Sequence, residues 1–154
     1  MVSVRMTFDP LPHRHDESAA LPQEDKDLLS AARKALANAY AQYSSFKVGA
    51  ALRTHDGNLY SGCNVENVSY PIGTCAERNA IAAAVLAEGP GMKIAAIAVA
   101  AQGKSGQATG VMPCGACRQA IFEFGSGARV VFTDANGSDR VETIGNLLPE
   151  AFSF

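Results

Sequence analysis

The apolar positions of this chain change period along its length, and each change marks an element. From Pro22 onward, Leu28, Leu29, Ala32, Leu36 and Tyr40 recur at three- and four-residue intervals, which predicts an amphipathic helix whose stripe includes Tyr40. Pro22 near the first turn, followed by Glu24 and Asp25, suits the start of that helix. Val48, Ala50 and Leu52 then alternate with other residues, the period of a strand. Asp56-Gly57 supplies turn chemistry, and a second strand over 59–64 completes an expected antiparallel hairpin. The alanine-rich stretch 75–86 has no internal Gly or Pro and predicts a second helix, ended by Gly89-Pro90-Gly91. Residues 94–101 are almost continuously apolar, as expected of a central strand covered on both faces. The polar, glycine-rich segment 102–110 reads as a loop, 114–124 as a helix stopped by Gly125, and 129–133 as a short strand. Asn136-Gly137 marks a turn before a last strand near 140–143. That connection is too short for the crossover a parallel pair needs, so the last two strands are expected to be antiparallel. The order αββαβαββ has no internal repeat and implies an α/β fold: a mixed sheet with helices on both faces.

Composition narrows the class. A chain of 154 residues suits one ordinary domain, and 47% hydrophobic against 18% charged residues supports a substantial core. Residues 1–21 carry Pro10, Pro12 and His13-Arg14-His15 without periodicity, and read as a mobile extension before a single domain over 22–154. Within it, His13 and His15 read as a solvated tail rather than as metal ligands. The formal net charge of −2 and the scattered Lys and Arg residues argue against a nucleic-acid partner. No apolar stretch approaches the roughly 18–20 residues of a membrane span, and no secretory leader is evident. A soluble, cytoplasmic protein is expected, and there cysteines point to metal or free thiols rather than disulfides.

The cysteines supply the chemistry. Cys75-Ala76-Glu77 is followed far downstream by Pro113-Cys114-Gly115-Ala116-Cys117. One helical turn places the Cys114 and Cys117 sulfurs on one side, and the helix starting near Cys75 can bring a third. Both groups fall at predicted helix N-termini, where unpaired N–H groups and the helix dipole favour thiolates. Three protein ligands leave the fourth tetrahedral position of Zn²⁺ open for water, the layout of a catalytic site. Glu77 sits two residues from Cys75, better placed to reach that open position than to fill it, and so suits a proton carrier. Taken alone it would read as a first-turn glutamate complementing the dipole. Arg78 suits a hydrogen bond to a ligand sulfur, which would offset the thiolate charge; the alternative is an exposed helix residue. Cys63 reads as an unliganded thiol. Its rival role, closing a four-cysteine structural zinc site, lacks the usual paired spacing. Asn64 and Glu66 alternate along an extended segment, and serve equally as a sugar clamp or as a polar strand face.

Thr74-Cys75-Ala76-Glu77-Arg78 and Pro113-Cys114-Gly115-Ala116-Cys117-Arg118-Gln119 resemble the motifs of the zinc-dependent cytidine deaminases that act on free nucleosides. The glutamate proton carrier and the Pro-Cys-x-x-Cys motif are general to zinc deaminases. Cysteine at 75, where polynucleotide editors usually have histidine, resembles the compact homotetrameric branch. The resemblance covers roughly 22–154 and implies a three-layer α/β/α sandwich with a mixed five-stranded sheet. It also implies one Zn²⁺ per subunit on Cys75, Cys114 and Cys117, with Glu77 catalytic. The segment from Tyr43 to Leu52 resembles the family's substrate-pocket strand, which puts Phe46 beside the pyrimidine. Gly62-Cys63-Asn64-Val65-Glu66-Asn67 resembles the ribose segment, with Asn64 and Glu66 on the 3′-hydroxyl. Ala76 joins the implied substrate contacts, and Tyr70 falls near a shared entrance. Leu147-Leu148-Pro149-Glu150-Ala151-Phe152 resembles the C-terminal segment through which Phe152 caps a neighbouring subunit's site. The implied reaction is hydrolytic deamination of cytidine and 2′-deoxycytidine, a step of pyrimidine salvage. Two alternatives stay open: a deaminase of another amine-bearing base or nucleoside, and a noncatalytic zinc module.

Overall fold

The structure is a computed structural model that describes residues 21–153. The expected mobile extension, with His13 and His15, lies outside the described residues except for Leu21, which packs against the core. Helix α1 (Gln23–Ala35) opens with Pro22 at its N-cap and Glu24 and Asp25 in its first turn. A hairpin of β1 (Lys47–Thr54) and β2 (Leu59–Cys63) follows, then α2 (Ala76–Glu88) and β3 (Ile94–Gln102). A two-residue strand β4 (Ala108–Thr109) precedes α3 (Gly115–Phe124), β5 (Arg129–Thr133), β6 (Asp139–Thr143) and a one-turn helix α4 (Ile144–Leu147).

The sheet order is β2-β1-β3-β5-β6, with β4 paired to β3 off that path. Among the strands of the described residues, only β3 and β5 pair in parallel; the β5–β6 hairpin is antiparallel, as its short turn requires. Alternation along each strand sorts its residues into two cores. Ala51, Ala96, Ala98, Ala100 and Val131 face α1 through Leu28, Leu29 and Ala32. On the other face Ala50, Leu52, Ile97, Val130 and Phe132 meet α2 and α3 through Ala76, Ala80, Ala84 and Ile121. The result is the expected three-layer α/β/α arrangement.

Two glycines set how closely the helices approach. A Cβ at Gly49 would overlap the Ala32 carbonyl of α1, and one at Gly62 would overlap the Ala80 amide and Ala76 carbonyl of α2. Gly62 therefore lets the helix that carries the first metal motif lie directly on β2.

Two expectations need correction, and one short helix is an addition. The stripe that included Tyr40 ends early: α1 stops at Ala35, and a 3₁₀ turn over Leu36–Asn38 follows. Tyr40 leaves the helix because its N–H donates to the Asn64 carbonyl at 3.1 Å and its carbonyl accepts from Glu66 N–H at 2.8 Å. The 102–110 loop contains β4, whose backbone pairs with Ala101 and Gln102, so a sixth short strand joins the expected five. Helix α4 went unanticipated; Thr143 caps it by accepting from the Asn146 N–H at 3.3 Å.

Candidate metal centre and substrate pocket

Cys75 is the N-cap of α2 and Cys114 the N-cap of α3, while Cys117 lies in the first turn of α3. Two helix N-termini thus point their unpaired N–H groups at one place. The sulfurs of Cys75, Cys114 and Cys117 all lie within 4.8 Å of one another. Cys63 is not a member of that group and remains a half-buried free thiol, so nothing in the geometry supports a four-cysteine closed site.

The donor set fits a divalent cation. Burial pushes the Cys75 thiol up, and the charges of Cys114 and Glu77 add to that. Burial likewise pushes Cys117 far up, reinforced by Glu77 and Cys75. Burial acts against Cys114 as well, but hydrogen bonds from the Cys117 amide and from the Cys117 and Cys75 thiols hold it below the ordinary value. Three crowded sulfurs therefore resist joint ionisation unless a counter-charge sits among them. Zn²⁺ supplies that charge, and the positive helix ends offset the excess of three thiolates over one dication.

Glu77 is 4% exposed, and burial raises its pKa above the usual carboxylate range; its own backbone N–H and a Cys117 hydrogen bond oppose the shift. A carboxyl group that exchanges a proton readily suits general acid–base work. Supports around it fix the two motifs. The Asn79 amide donates to the Cys63 carbonyl at 2.8 Å and to the Thr74 hydroxyl at 3.0 Å, tying α2 to the end of β2. Arg118 donates to the Pro113 carbonyl at 2.8 Å and to the Leu147 carbonyl at 2.9 Å, so it braces the segment before Cys114 against α4. Sequence reasoning assigned Arg118 no role, because both acceptors are main-chain atoms. Arg78 donates to the Gly73 carbonyl at 3.4 Å.

The metal cluster forms the floor of a pocket of about 570 Å³, within the usual range for small-molecule sites. Phe46, Asn64, Glu66, Tyr70, Cys75, Ala76, Glu77 and Cys114 line it, bringing together most of the site residues expected from sequence. Cys117 is buried at the cluster, whereas Arg78 and Phe152 are not among the lining residues. Phe152 is 68% exposed, and its carbonyl accepts from Gln119 of α3 at 2.9 Å. Tyr70 makes an edge contact with Tyr43 at the mouth, with ring centroids 6.1 Å apart.

Another part of the pocket lining is a hydrogen-bonded loop. Glu66 Oε2 accepts from the Tyr43 amide at 2.8 Å and the Ser44 amide at 3.2 Å. Its Oε1 accepts from the Ser44 hydroxyl, which in turn accepts from the Phe46 amide at 2.9 Å. Asn64 accepts from the Val48 amide at 2.8 Å and donates to the Phe46 carbonyl at 2.9 Å. Between these anchors Ser45 adopts a left-handed conformation with φ of 59°. That geometry costs a non-glycine residue roughly 1–2 kcal/mol, and the surrounding bonds hold it in place. Sequence reasoning found Asn64 and Glu66 but missed Ser44, whose only signal was a small hydroxyl two residues before Phe46.

Comparison with known proteins agrees with this geometry. The protein-family model described as the cytidine and deoxycytidylate deaminase zinc-binding region matches residues 22–133. A cytidine deaminase of Sporosarcina psychrophila is 42% identical over 127 residues, covering 82% of this chain and 89% of that protein. One from Mycobacterium tuberculosis strain H37Rv is 39% identical over 133 residues, covering 86% and 92%. The crystal structure of cytidine deaminase from Burkholderia pseudomallei matches with a TM-score of 0.72 at 48% identity, over 82% of this chain and 98% of that one. The match runs through both cysteine motifs and the loop wall, and the chain belongs to the cytidine and deoxycytidylate deaminase zinc-binding family.

Proposed function

We propose that this protein hydrolytically deaminates cytidine and 2′-deoxycytidine to the corresponding uridines, releasing ammonia. The observation that carries the reading is the buried Glu77 carboxyl beside three convergent cysteine sulfurs at the floor of a nucleoside-sized pocket. Cys75, Cys114 and Cys117 would hold Zn²⁺, which when bound would supply Lewis-acid activation of a water molecule. Glu77 takes a proton from the attacking water and places it on ring N3, which draws electron density from C4 and favours attack there. It then carries a second proton to the departing amine, so that water is consumed and ammonia leaves. Because Glu77 is almost fully buried, solvent competes little for these protons.

Phe46 contributes an apolar wall suited to the pyrimidine, with Ala76 and Tyr70 completing the contacts. Asn64 and Glu66 stand opposite as a clamp for the 3′-hydroxyl. The pocket's lining residues include no Lys, Arg or His, while Glu66 and Glu77 are both acidic. A 5′-phosphate would enter without a counter-charge, which favours nucleosides over nucleotides. Arg78 is assigned to offset the charge of the ligand thiolates once zinc is in place.

The same reading extends to assembly: a homotetramer with shared sites, in which Phe152 caps a neighbouring subunit's pocket. Its support is the exposed Phe152, which does not line its own pocket, and the exposed apolar side chains of Val68, Tyr70, Ile72 and Met112, of which Tyr70 and Met112 line the pocket. None of the helices is long and apolar enough to cross a membrane, among the described residues. A cytoplasmic enzyme of pyrimidine salvage accommodates these features.

Ammonia release from a substrate panel tests the specificity. Cytidine and 2′-deoxycytidine are expected to react, cytidine 5′-monophosphate at least about a hundredfold more slowly, as burial of an uncompensated ion implies, and adenosine and guanine more slowly than cytidine. Preference for the nucleotide or a purine would overturn the reading.

A further inference from the structure

The sugar-side wall contains a residue that neither the motifs nor the reaction chemistry assigns. An ionised carboxylate offers about four acceptor sites, two per oxygen. On Glu66, Oε2 is filled by the Tyr43 and Ser44 amides, and Oε1 already takes the Ser44 hydroxyl. One acceptor site on Oε1 remains. Asn64 is equally committed: its oxygen holds the Val48 amide and one N–H holds the Phe46 carbonyl, leaving one N–H free. One acceptor and one donor, two residues apart on one segment and lining the same pocket, suit a single hydroxyl, which would donate to Glu66 and accept from Asn64.

Ser44 decides where that remaining acceptor site points. Its hydroxyl bonds the same Oε1, and it also accepts from the Phe46 amide, fixing the backbone that presents the ring wall. We infer that Ser44 is a positioning residue for sugar recognition: its hydroxyl orients Glu66 toward the substrate's 3′-hydroxyl and couples that grip to the placement of Phe46. This rests on the nucleoside reading above and deepens it. The same hydroxyl is also the leading reason that the Glu66 carboxyl lies below its ordinary pKa, so Glu66 remains an acceptor throughout the neutral range.

A purely structural serine would affect all substrates alike, whereas a positioning serine affects only those with the hydroxyl it serves. The test compares the zinc-loaded full chain with Ser44→Ala and Ser44→Thr on cytidine and on 3′-deoxycytidine. Ser44 is exposed, so the alanine variant is not expected to disturb the core. Ser44→Ala should raise KM for cytidine roughly tenfold, the scale of a hydrogen bond to a charged group, with kcat changed less than about twofold. The penalty should shrink to about twofold or less on 3′-deoxycytidine, and Ser44→Thr, which keeps the hydroxyl, should restore most of the KM. Equal penalties on both substrates, or failure of threonine to restore KM, would overturn the inference. If the wild type handles cytidine and 3′-deoxycytidine equally, the sugar clamp itself fails and Ser44 with it. If the wild type turns over neither, the nucleoside reading is what has failed.

Discussion

The two walls of the pocket are built by opposite means. On the metal side, three sulfurs and one carboxyl sit at the starts of two helices, and each helix is braced by side chains reaching main-chain carbonyls. On the other side, an irregular loop with a left-handed Ser45 is held by one carboxylate and one amide from a segment about twenty residues away. Regular structure gives the metal wall rigidity, which fixed ligand geometry demands. The loop wall gains its shape from a few hydrogen bonds, so individual substitutions there should alter affinity before chemistry. Damage to the metal side should instead remove turnover.

Metal removal probes that contrast most strongly. Stripping zinc with a chelator should lower turnover at least about a thousandfold, because Lewis-acid activation is worth several kcal/mol. The melting temperature should fall as well, since the ion binds only the folded cluster, and added Zn²⁺ should restore both. A chelated protein that kept its activity would break the comparison on its metal side.

A subtler lesion of the same wall is Gly62→Ala. Its Cβ would overlap the backbone of α2 at Ala76 and Ala80, so the helix carrying Cys75 and Glu77 must shift. Overpacking of this kind costs about 1–3 kcal/mol of stability, measurable by urea denaturation. A fall in kcat should accompany it, whereas unchanged stability and kcat would show that the close approach is dispensable.

On the loop wall, Glu66→Gln keeps the volume but replaces an acceptor-only group with one that also donates. Three donors from Tyr43 and Ser44 then lose a charged partner. KM for cytidine should rise roughly ten- to a hundredfold with a smaller change in kcat. An effect confined to kcat would contradict the division of labour between the walls.

The smallest effect concerns acid. The Ser44 hydroxyl, opposed by burial but aided by the Tyr43 and Ser44 amides, holds the Glu66 carboxyl below its ordinary value. Glu66 therefore contributes its full support to the loop above the ordinary carboxylate pKa, and loses it as pH falls through the lowered one. In a Glu77→Gln background, which removes the other titrating carboxyl of the pocket, binding of a nonreactive pyrimidine nucleoside such as uridine, followed by calorimetry, should stay level from neutral pH down to the ordinary carboxylate pKa of about 4.3 and weaken only below it. Weakening already near neutrality would mean that another group governs the loop.

The contrast also explains what the sequence made legible. The metal wall was readable because its signals are local: Cys114 and Cys117 are one helical turn apart, and Glu77 is two residues from Cys75. The alternation of β1 and the apolar run of β3 were readable for the same reason, since period reports burial directly. The loop wall was not, because its partners are distant in sequence and half of them are main-chain N–H groups, which every residue but proline carries. Asn64 was expected either on the sugar or on a polar strand face, and its amide instead secures Val48 and Phe46. Tyr40 fits the helical stripe by spacing, but pairing with the Asn64–Glu66 segment outweighs one more turn of helix. Helix α4 is a single turn, too short to show a period at all.

The most direct test of the central claim is Glu77→Gln, assayed by the ultraviolet change as cytidine becomes uridine and, on the same sample, by metal content. The buried carboxyl is the proton carrier if turnover drops by about a hundredfold to ten-thousandfold, the usual range for a general acid–base group, while the zinc content matches the wild type's. Near-normal turnover with zinc retained would contradict that role, and loss of zinc together with activity would mean that Glu77 serves the metal instead.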